Sequence, residues 1–150
     1  MVQKFSTVFL TIFLLQSCDV SQKQLDYKSN NSVEITQNHD YSEVKNKTIN
    51  FDEIFKQKNE QYFAYFYSLT CSHCSLIKNQ MIEYGLNHEN IYFVQASEDV
   101  KISENTDSVV GGTSIEEISI LGYPSLLEIE QKVCVFITSG SDNIISKLNL

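Results

Sequence analysis

The sequence predicts an α/β domain in which a central mixed sheet is flanked by helices, and three observations support this class. The near-continuous aromatic run 62–67 is typical of a central strand buried on both faces. A helical pattern follows directly, with apolar residues at steps of three and four: Cys74, Ile77, Met81 and Tyr84. The chain then has a second apolar run at 91–96, which we expect to lie parallel to the first strand, and two more at 126–129 and 133–137, which we expect to form an antiparallel hairpin.

Helix caps predict two further short helices. Asn50 and Glu53 have the spacing of a capping box, which would open a first helix before the central strand. Thr113 and Glu116 have the same spacing and predict a short helix that continues to Leu121.

Glycines predict where other elements end. Gly85 stands where the helix after the central strand is expected to stop. Gly140 breaks the last strand, and Ser141 is expected to open a final helix that packs on the sheet through Ile144, Ile145 and Leu148. The connection 97–112 is polar and without period, and it is expected either to border a functional site or to be a plain surface insertion.

Two cysteines stand where the central strand gives way to the helix: Cys71 and Cys74, with His73 between them. Unpaired N–H groups and the helix dipole favour an anion at a helix N-terminus, and the thiolate is the reactive form of cysteine. The position therefore predicts a reactive sulfur at Cys71, and a neighbouring imidazolium would stabilise its thiolate further. Cys74 lies one turn on, where it can resolve a mixed disulfide formed by the first sulfur.

At these residues the chain resembles the thioredoxin superfamily, and its Cys-Ser-His-Cys run is similar to the Cys-x-His-Cys centre of protein disulfide isomerases and Dsb-type periplasmic oxidases. Family members place a cis-proline opposite the cysteines, and the one proline of this chain, Pro124, follows Tyr123 in a Gly-Tyr-Pro-Ser-Leu run. The resemblance implies a thioredoxin-like fold with a redox-active disulfide between Cys71 and Cys74 and with His73 as a tuner. It also implies that Tyr123 and Pro124 present backbone groups to a substrate chain. No bound cofactor or metal is expected, because the dithiol carries the electrons.

The sequence departs from the family pattern at two places. The family's buried acid, six residues before the first cysteine, is replaced by Tyr65, which implies less efficient reduction. The tryptophan that flanks the cysteines is replaced by Leu69-Thr70, which implies a less aromatic docking surface.

The N-terminus predicts export. In residues 1–17 a lysine precedes an apolar run that is too short to span a bilayer comfortably, as in a signal peptide. The run ends in Leu-Gln-Ser-Cys, which resembles a bacterial lipobox, so Cys18 is expected to be lipidated; a plainly cleaved signal and an uncleaved anchor are the alternatives. Residues 18–46 are poor in apolar side chains and are expected to be a disordered tether with a solvated His39. The thioredoxin-like domain is then 47–150.

These observations predict an oxidoreductase that exchanges disulfides with exported protein thiols, held by a lipid anchor to the outer face of the bacterial cell membrane and served by a redox partner protein. The net charge of −8, with eleven basic residues all lysine, argues against a nucleic-acid partner. Cys-x-His-Cys favours oxidation or isomerisation. The alternatives are a tethered thiol reductase for a dedicated partner or export system, a metal-binding module using Cys71, His73 and Cys74, and a non-catalytic interaction domain.

Overall fold

The computed structural model of the chain describes residues 38–150. The predicted signal peptide 1–17, the lipidation site Cys18 and the tether as far as residue 37 lie outside the described residues. These three assignments stay predictions.

Within the described residues, five strands form one mixed sheet in the order β1-β3-β2-β4-β5. The strands are Thr48–Ile49 (β1), Gln61–Tyr67 (β2), Ile91–Gln95 (β3), Ser125–Glu130 (β4) and Val133–Ser139 (β5). β3 pairs in parallel with β1 and β2, whereas β4 is antiparallel to both β2 and β5. The helices are Ser72–Asn87 (α1) and Ser141–Leu148 (α2), with 3₁₀ segments at Tyr41–Lys47, Phe51–Lys56 and Ile115–Glu117. The predicted class, an α/β domain with a central mixed sheet flanked by helices, is confirmed.

β2 buries side chains on both faces of the sheet, because successive residues of a strand point to opposite sides. One face belongs to a group of buried residues that we call the α1 cluster, which includes Val44, Tyr65, Tyr67, Cys74, Ile77, Met81, Ile82, Ile91, Phe93, Leu126, Ile144 and Leu148. The other face belongs to the loop cluster, which includes Phe51, Ile54, Tyr62, Ala64, Phe66, Val94, Val100, Val109, Ile118, Ile120, Leu127, Ile129 and Cys134. Both cysteines of the Cys-x-x-Cys run pack with the α1 cluster.

The connection 97–112 covers the loop face of the sheet. Val100 and Val109 are buried in the loop cluster. Backbone hydrogen bonds join Gly111 and Gly112 to Cys134 of β5, at 2.7 and 2.8 Å. The segment therefore closes part of the core, a role that its polar composition did not indicate.

The folded domain begins earlier than the predicted boundary at Lys47. Residues 41–47 form a 3₁₀ segment whose Val44 is buried in the α1 cluster, and His39 is buried rather than solvated. Asp40 caps this segment by accepting the Ser42 N–H at 2.9 Å. The prediction of a tether up to residue 46 is thus wrong for 39–46, because a few side chains that pack on distant elements outweigh a polar composition.

Gly85 does not end the helix, as the sequence had predicted, because α1 continues to Asn87. Its role is close packing: a Cβ atom built at Gly85 would lie 2.7 Å from two ring carbons of Phe93 and 3.2 Å from Val44 Cγ1. A helix that approaches a strand this closely needs a residue without a side chain.

One of the two predicted capping boxes is shifted. At the first, the Asn50 N–H donates to the Glu53 carboxylate at 2.8 Å, as expected. At the second, the carboxylate of Glu117, not Glu116, accepts the N–H groups of Thr113 and Ser114 at 2.8 and 3.2 Å. The helix predicted to continue to Leu121 is a single 3₁₀ turn, Ile115–Glu117.

Candidate active site

Cys71 is the residue that caps the N-terminus of α1. Its backbone is extended, and its Sγ accepts the N–H of Cys74 at 3.1 Å, as a serine or aspartate oxygen does in an ordinary N-cap. The Cys71 carbonyl accepts the Ser75 N–H at 3.2 Å and so begins the helical ladder. Cys71 is partly exposed, so a second molecule can approach this residue.

A second hydrogen bond involves the same sulfur. The Cys71 thiol donates to the carbonyl oxygen of Tyr123 at 3.1 Å. The peptide bond between Tyr123 and Pro124 is cis, as the resemblance had implied. The sequence-predicted residues Cys71, Tyr123 and Pro124 are thus brought together, although they are far apart in the chain.

Two hydrogen bonds fix the loop that carries this proline. The Ser125 hydroxyl donates to the Gly122 carbonyl at 2.6 Å, and the Gly140 N–H donates to the Pro124 carbonyl at 2.9 Å. Gly122 has a φ of 148°, a region that residues with a side chain rarely adopt. The loop is therefore anchored on its own backbone and on Gly140, the residue between β5 and α2, which holds the Tyr123 carbonyl beside the sulfur.

Cys74 has a different environment from Cys71. It is 1% exposed and lies in the α1 cluster, and both thiols of the pair are free. Burial, followed by its hydrogen bond with Cys71, raises the pKa of Cys74 to about 12. One sulfur of the pair is thus accessible, while the other is protonated and shielded.

His73 lies on the exposed side of the first turn of α1. It lies two residues after Cys71 and directly before Cys74, but its ring makes no hydrogen bond to the cysteines or to any other part of residues 38–150. The proposed tuning by His73 therefore depends on proximity along the chain and stays a prediction.

His39 and His88 contact side chains outside the Cys71–Cys74 pair, and Cys134 is buried in another part of the sheet. His39 Nδ1 lies 3.0 Å from a Glu43 carboxylate oxygen, and the His88 ring stacks on Tyr84. Cys134 is buried in β5, where burial raises the pKa of its thiol to about 11. No cluster of three or more His, Cys, Asp or Glu residues suited to a metal ion occurs in the part of the chain that the structure describes.

Sequence reasoning missed the contribution of Tyr41. Its ring stacks on Tyr67 with centroids 3.8 Å apart and packs against the cluster that contains Cys74. The signal that was available is the spacing of Asp40 and Glu43, which form a capping box directly around this residue.

None of the helices between residues 38 and 150 is long and apolar enough to cross a membrane.

Comparison with solved structures finds thioredoxins. Thioredoxin f2 from Chlamydomonas reinhardtii is 19% identical, with a TM-score of 0.45 over 68% of this chain and 92% of that chain. Mitochondrial thioredoxin 3 from Saccharomyces cerevisiae, in its oxidised form, is 14% identical, with a TM-score of 0.47 over 71% and 95%. Plasmodium falciparum thioredoxin is 20% identical, with a TM-score of 0.46 over 68% and 94%. No protein-family model and no curated protein matches the chain. We therefore base the functional assignment on the geometry of the site.

Proposed function

We propose that this protein is an extracytoplasmic thiol–disulfide oxidoreductase that exchanges disulfides with exported proteins through Cys71 and Cys74. The observation that supports it is the placement of the Cys71 sulfur, which lies 3.1 Å from the Cys74 amide nitrogen and 3.1 Å from the Tyr123 carbonyl oxygen beside a cis-proline. A partly exposed sulfur with a buried partner one turn away suits the formation and resolution of a mixed disulfide.

In the oxidising direction the reaction starts from a Cys71–Cys74 disulfide. A substrate thiolate attacks the accessible Cys71 sulfur, the bond to Cys74 breaks, and the Cys74 sulfur takes the electron pair. Cys74 then takes a proton, because its raised pKa favours the thiol. A second substrate thiolate attacks the substrate sulfur bound to Cys71, the new disulfide forms within the substrate, and Cys71 leaves as a thiolate. The substrate loses two electrons and the protein gains them, so a redox partner protein must oxidise the dithiol again.

The Tyr123 backbone can form hydrogen bonds with a substrate chain, and the redox state of Cys71 decides whether its carbonyl is free to do so. While the Cys71 sulfur is a protonated thiol, it donates a hydrogen bond to the Tyr123 carbonyl. When Cys71 enters a disulfide, its sulfur loses the proton and the carbonyl is released. An extended substrate chain can then pair with this backbone as a strand pairs with a sheet edge.

The reduction potential of the full-length protein tests the reaction and its direction. The protein is equilibrated with mixtures of reduced and oxidised glutathione, and the Cys71–Cys74 disulfide is measured by thiol labelling and mass. We expect a value nearer to about −120 mV, typical of an oxidase, than to about −270 mV, typical of a reductase. A value at the reducing end would favour the tethered reductase, and failure to form the internal disulfide under oxidant would overturn the proposal.

Two variants refine this test. Cys74→Ser should trap mixed disulfides with exported proteins on Cys71, whereas the matched Cys134→Ser variant should trap none. His73→Gln should lower the potential by about 30 mV if the imidazolium stabilises the thiolate tenfold, since 30 mV corresponds to about 1.4 kcal/mol. An unchanged potential would remove His73 from the mechanism.

The proposed location rests on the sequence of residues 1–18 and has its own test. Cells that express the full chain are fed a fatty acid carrying a clickable group. Label should enter the wild-type protein and be lost in Cys18→Ser, while Cys134→Ser keeps it. Equal labelling of the wild type and Cys18→Ser would contradict the lipid anchor and leave the redox proposal standing.

A further inference from the structure

Two serine hydroxyls adjoin the loop that carries Tyr123 and Pro124. Ser125 is the first residue of β4 and is buried, and the strand pairing places it opposite Ser139 at the end of β5. The Ser125 hydroxyl donates to the Gly122 carbonyl at 2.6 Å, and the hydroxyl oxygens of the two serines are hydrogen-bonded to each other. A buried hydroxyl needs partners, and Ser125 has one on the loop and one on β5.

The direction of these two bonds follows from the number of protons. A serine hydroxyl has one proton to donate and two lone pairs that accept. Because the Ser125 proton is used in the bond to Gly122, Ser139 is the donor in the bond between the two serines. The three groups therefore form a chain of hydrogen bonds from Ser139 through Ser125 to the Gly122 carbonyl, which we call the serine relay. Each bond in such a chain polarises the next and strengthens it.

The end of the serine relay at Ser139 is itself held by a hydrogen bond. The side-chain amide of Asn143, in the first turn of α2, donates to the Ser139 carbonyl at 2.9 Å. Ser139 is also paired with Ser125 in the ladder between β4 and β5. The relay thus connects the Gly122 peptide to this ladder and to α2.

The serine relay sets the direction of one backbone N–H group. The peptide bond between Gly122 and Tyr123 is trans and planar, so its C=O and its N–H point in opposite directions. When the Ser125 hydroxyl holds the Gly122 carbonyl, it therefore also fixes the Tyr123 N–H. This N–H donates to no backbone carbonyl within residues 38–150, and Tyr123 is partly exposed.

Tyr123 thus has the two backbone groups that an extended polypeptide can pair with. Facing residues of antiparallel strands exchange two hydrogen bonds, one from each N–H to the C=O of the other residue. The Tyr123 carbonyl is released when the Cys71 sulfur loses its proton, and the Tyr123 N–H has no backbone acceptor in the described part of the chain. A small disulfide without peptide groups can form neither bond.

We propose that Ser125 and Ser139 are positioning residues that make this protein react with polypeptide disulfides in preference to small ones. The inference rests on the proposed function. The serine relay holds the Tyr123 N–H in one direction before the substrate arrives, so less backbone has to be ordered when a substrate chain binds. Both serines act through the peptide between Gly122 and Tyr123.

The experiment compares two substrates that release the same coloured aryl thiolate. One is a short unstructured peptide whose single cysteine carries the aryl thiol as a mixed disulfide, and the other is the mixed disulfide of that aryl thiol with 2-mercaptoethanol. The parent protein is the reduced full-length chain with Cys18→Ser and Cys134→Ala, so that Cys71 and Cys74 are its only thiols. The Cys71 thiolate attacks the alkyl sulfur in both substrates, and the aryl thiolate leaves with the electron pair.

The measured quantity is the selectivity, which is the rate constant with the peptide divided by the rate constant with the 2-mercaptoethanol substrate. Each rate constant is first divided by that of dithiothreitol with the same substrate, which removes differences in intrinsic reactivity. The parent protein should favour the peptide. Ser125→Ala should lower the selectivity by about fivefold, the effect of losing one hydrogen bond between neutral groups. Ser139→Ala keeps the bond to Gly122 but weakens it, and it should lower the selectivity by about twofold.

Ser141→Ala is the matched control. It makes the same chemical change at another buried serine, in the first turn of α2 and outside the serine relay. We expect it to have the selectivity of the parent protein. If Ser125→Ala does not fold, Ser139→Ala decides, because Ser139 is partly exposed; an unchanged selectivity of that variant would overturn the inference.

The other outcomes separate this inference from the function on which it rests. If the parent protein reacts with both substrates at the same normalised rate, the inference fails alone. It also fails if Ser125→Ala slows both substrates by the same factor, since the relay would then have only a structural role, or if Ser141→Ala lowers the selectivity as much. If the parent protein binds the peptide at Cys71 but never releases it by closing the Cys71–Cys74 disulfide, the proposed function fails and the inference fails with it.

Discussion

Replacing Lys47 by methionine should destabilise the domain through the far end of α1. The Lys47 Nζ is buried and donates to the carbonyl oxygens of Gly85 and His88 at 2.6 Å each. These carbonyls lie at the C-terminal end of α1, where helix carbonyls have no partner within the helix. The lysine therefore joins the N-terminal 3₁₀ segment to the helix that carries the cysteines.

The size of the effect follows from these contacts. Hydrogen bonds to a charged group contribute about 1.5–3 kcal/mol each, and methionine removes both while it keeps the buried stem. Part of this loss is offset because the ammonium no longer has to be buried. We expect a net loss of about 2–4 kcal/mol. Glu89 is 92% exposed and lies 3.8 Å from Nζ, so its ion pair adds at most about 1 kcal/mol and the loss should depend little on salt.

Urea unfolding of the full chain measures this loss, and Lys45→Met is its control. Lys45 lies in the same 3₁₀ segment and is exposed, so its replacement makes the same change of charge and composition. We expect the Lys45 variant to stay within about 0.5 kcal/mol of the wild type. Equal stability of the two variants would show that the bonds to the end of α1 contribute nothing.

Three further predictions concern packing, turn geometry and acid stability. Gly85→Ala should cost about 1–2 kcal/mol in urea unfolding, because overpacking against Phe93 exceeds the gain of about 1 kcal/mol in helix propensity; a stabilised variant would contradict this. Replacing Gln131 by asparagine and Lys132 by glycine should stabilise the protein by about 1 kcal/mol, because both positions have positive φ, 49° and 64°. A lower melting temperature of this double variant would refute the prediction. The pKa of Glu117 is lowered in the folded protein, first by the backbone N–H of Thr113. The ionised carboxylate therefore stabilises the fold at pH values above its unfolded pKa near 4.5, and this stabilisation is lost as the pH falls through the lower folded pKa. Urea unfolding at a series of pH values should therefore show that Glu117→Gln has a lower unfolding free energy than the wild type at neutral pH, and that this difference disappears in acid.

The sequence predicted the elements that local pattern controls. β2, the start of α1, β3, the hairpin and α2 were all identified, because each has its own period of apolar residues. The cis bond before Pro124 was implied only by resemblance, since nothing in the residues themselves selects the isomer.

The errors occurred where distant contacts override a local rule. The segment 41–47 has a polar composition. Nevertheless, Val44 is buried in the α1 cluster, and Lys47 donates to the carbonyl of Gly85 in α1, some forty residues further along the chain. Gly85 follows the usual rule for a helix end, but Phe93 requires it within the helix. In both cases the decisive partner comes from another part of the chain, which no window of neighbouring residues contains.

The two faces of the sheet differ in their relation to the redox pair, because only the α1 cluster contains Cys74. The loop cluster is closed by the connection 97–112, and its one sulfur, Cys134, is buried in β5. The α1 cluster holds Cys74 and Tyr65 beside the accessible Cys71, so a change there alters both packing and the cost of charging a sulfur. It follows that conservative substitutions in the loop cluster should change the unfolding free energy and leave the reduction potential in place. Substitutions of equal size in the α1 cluster should change both, because the same burial that stabilises this face also keeps Cys74 protonated.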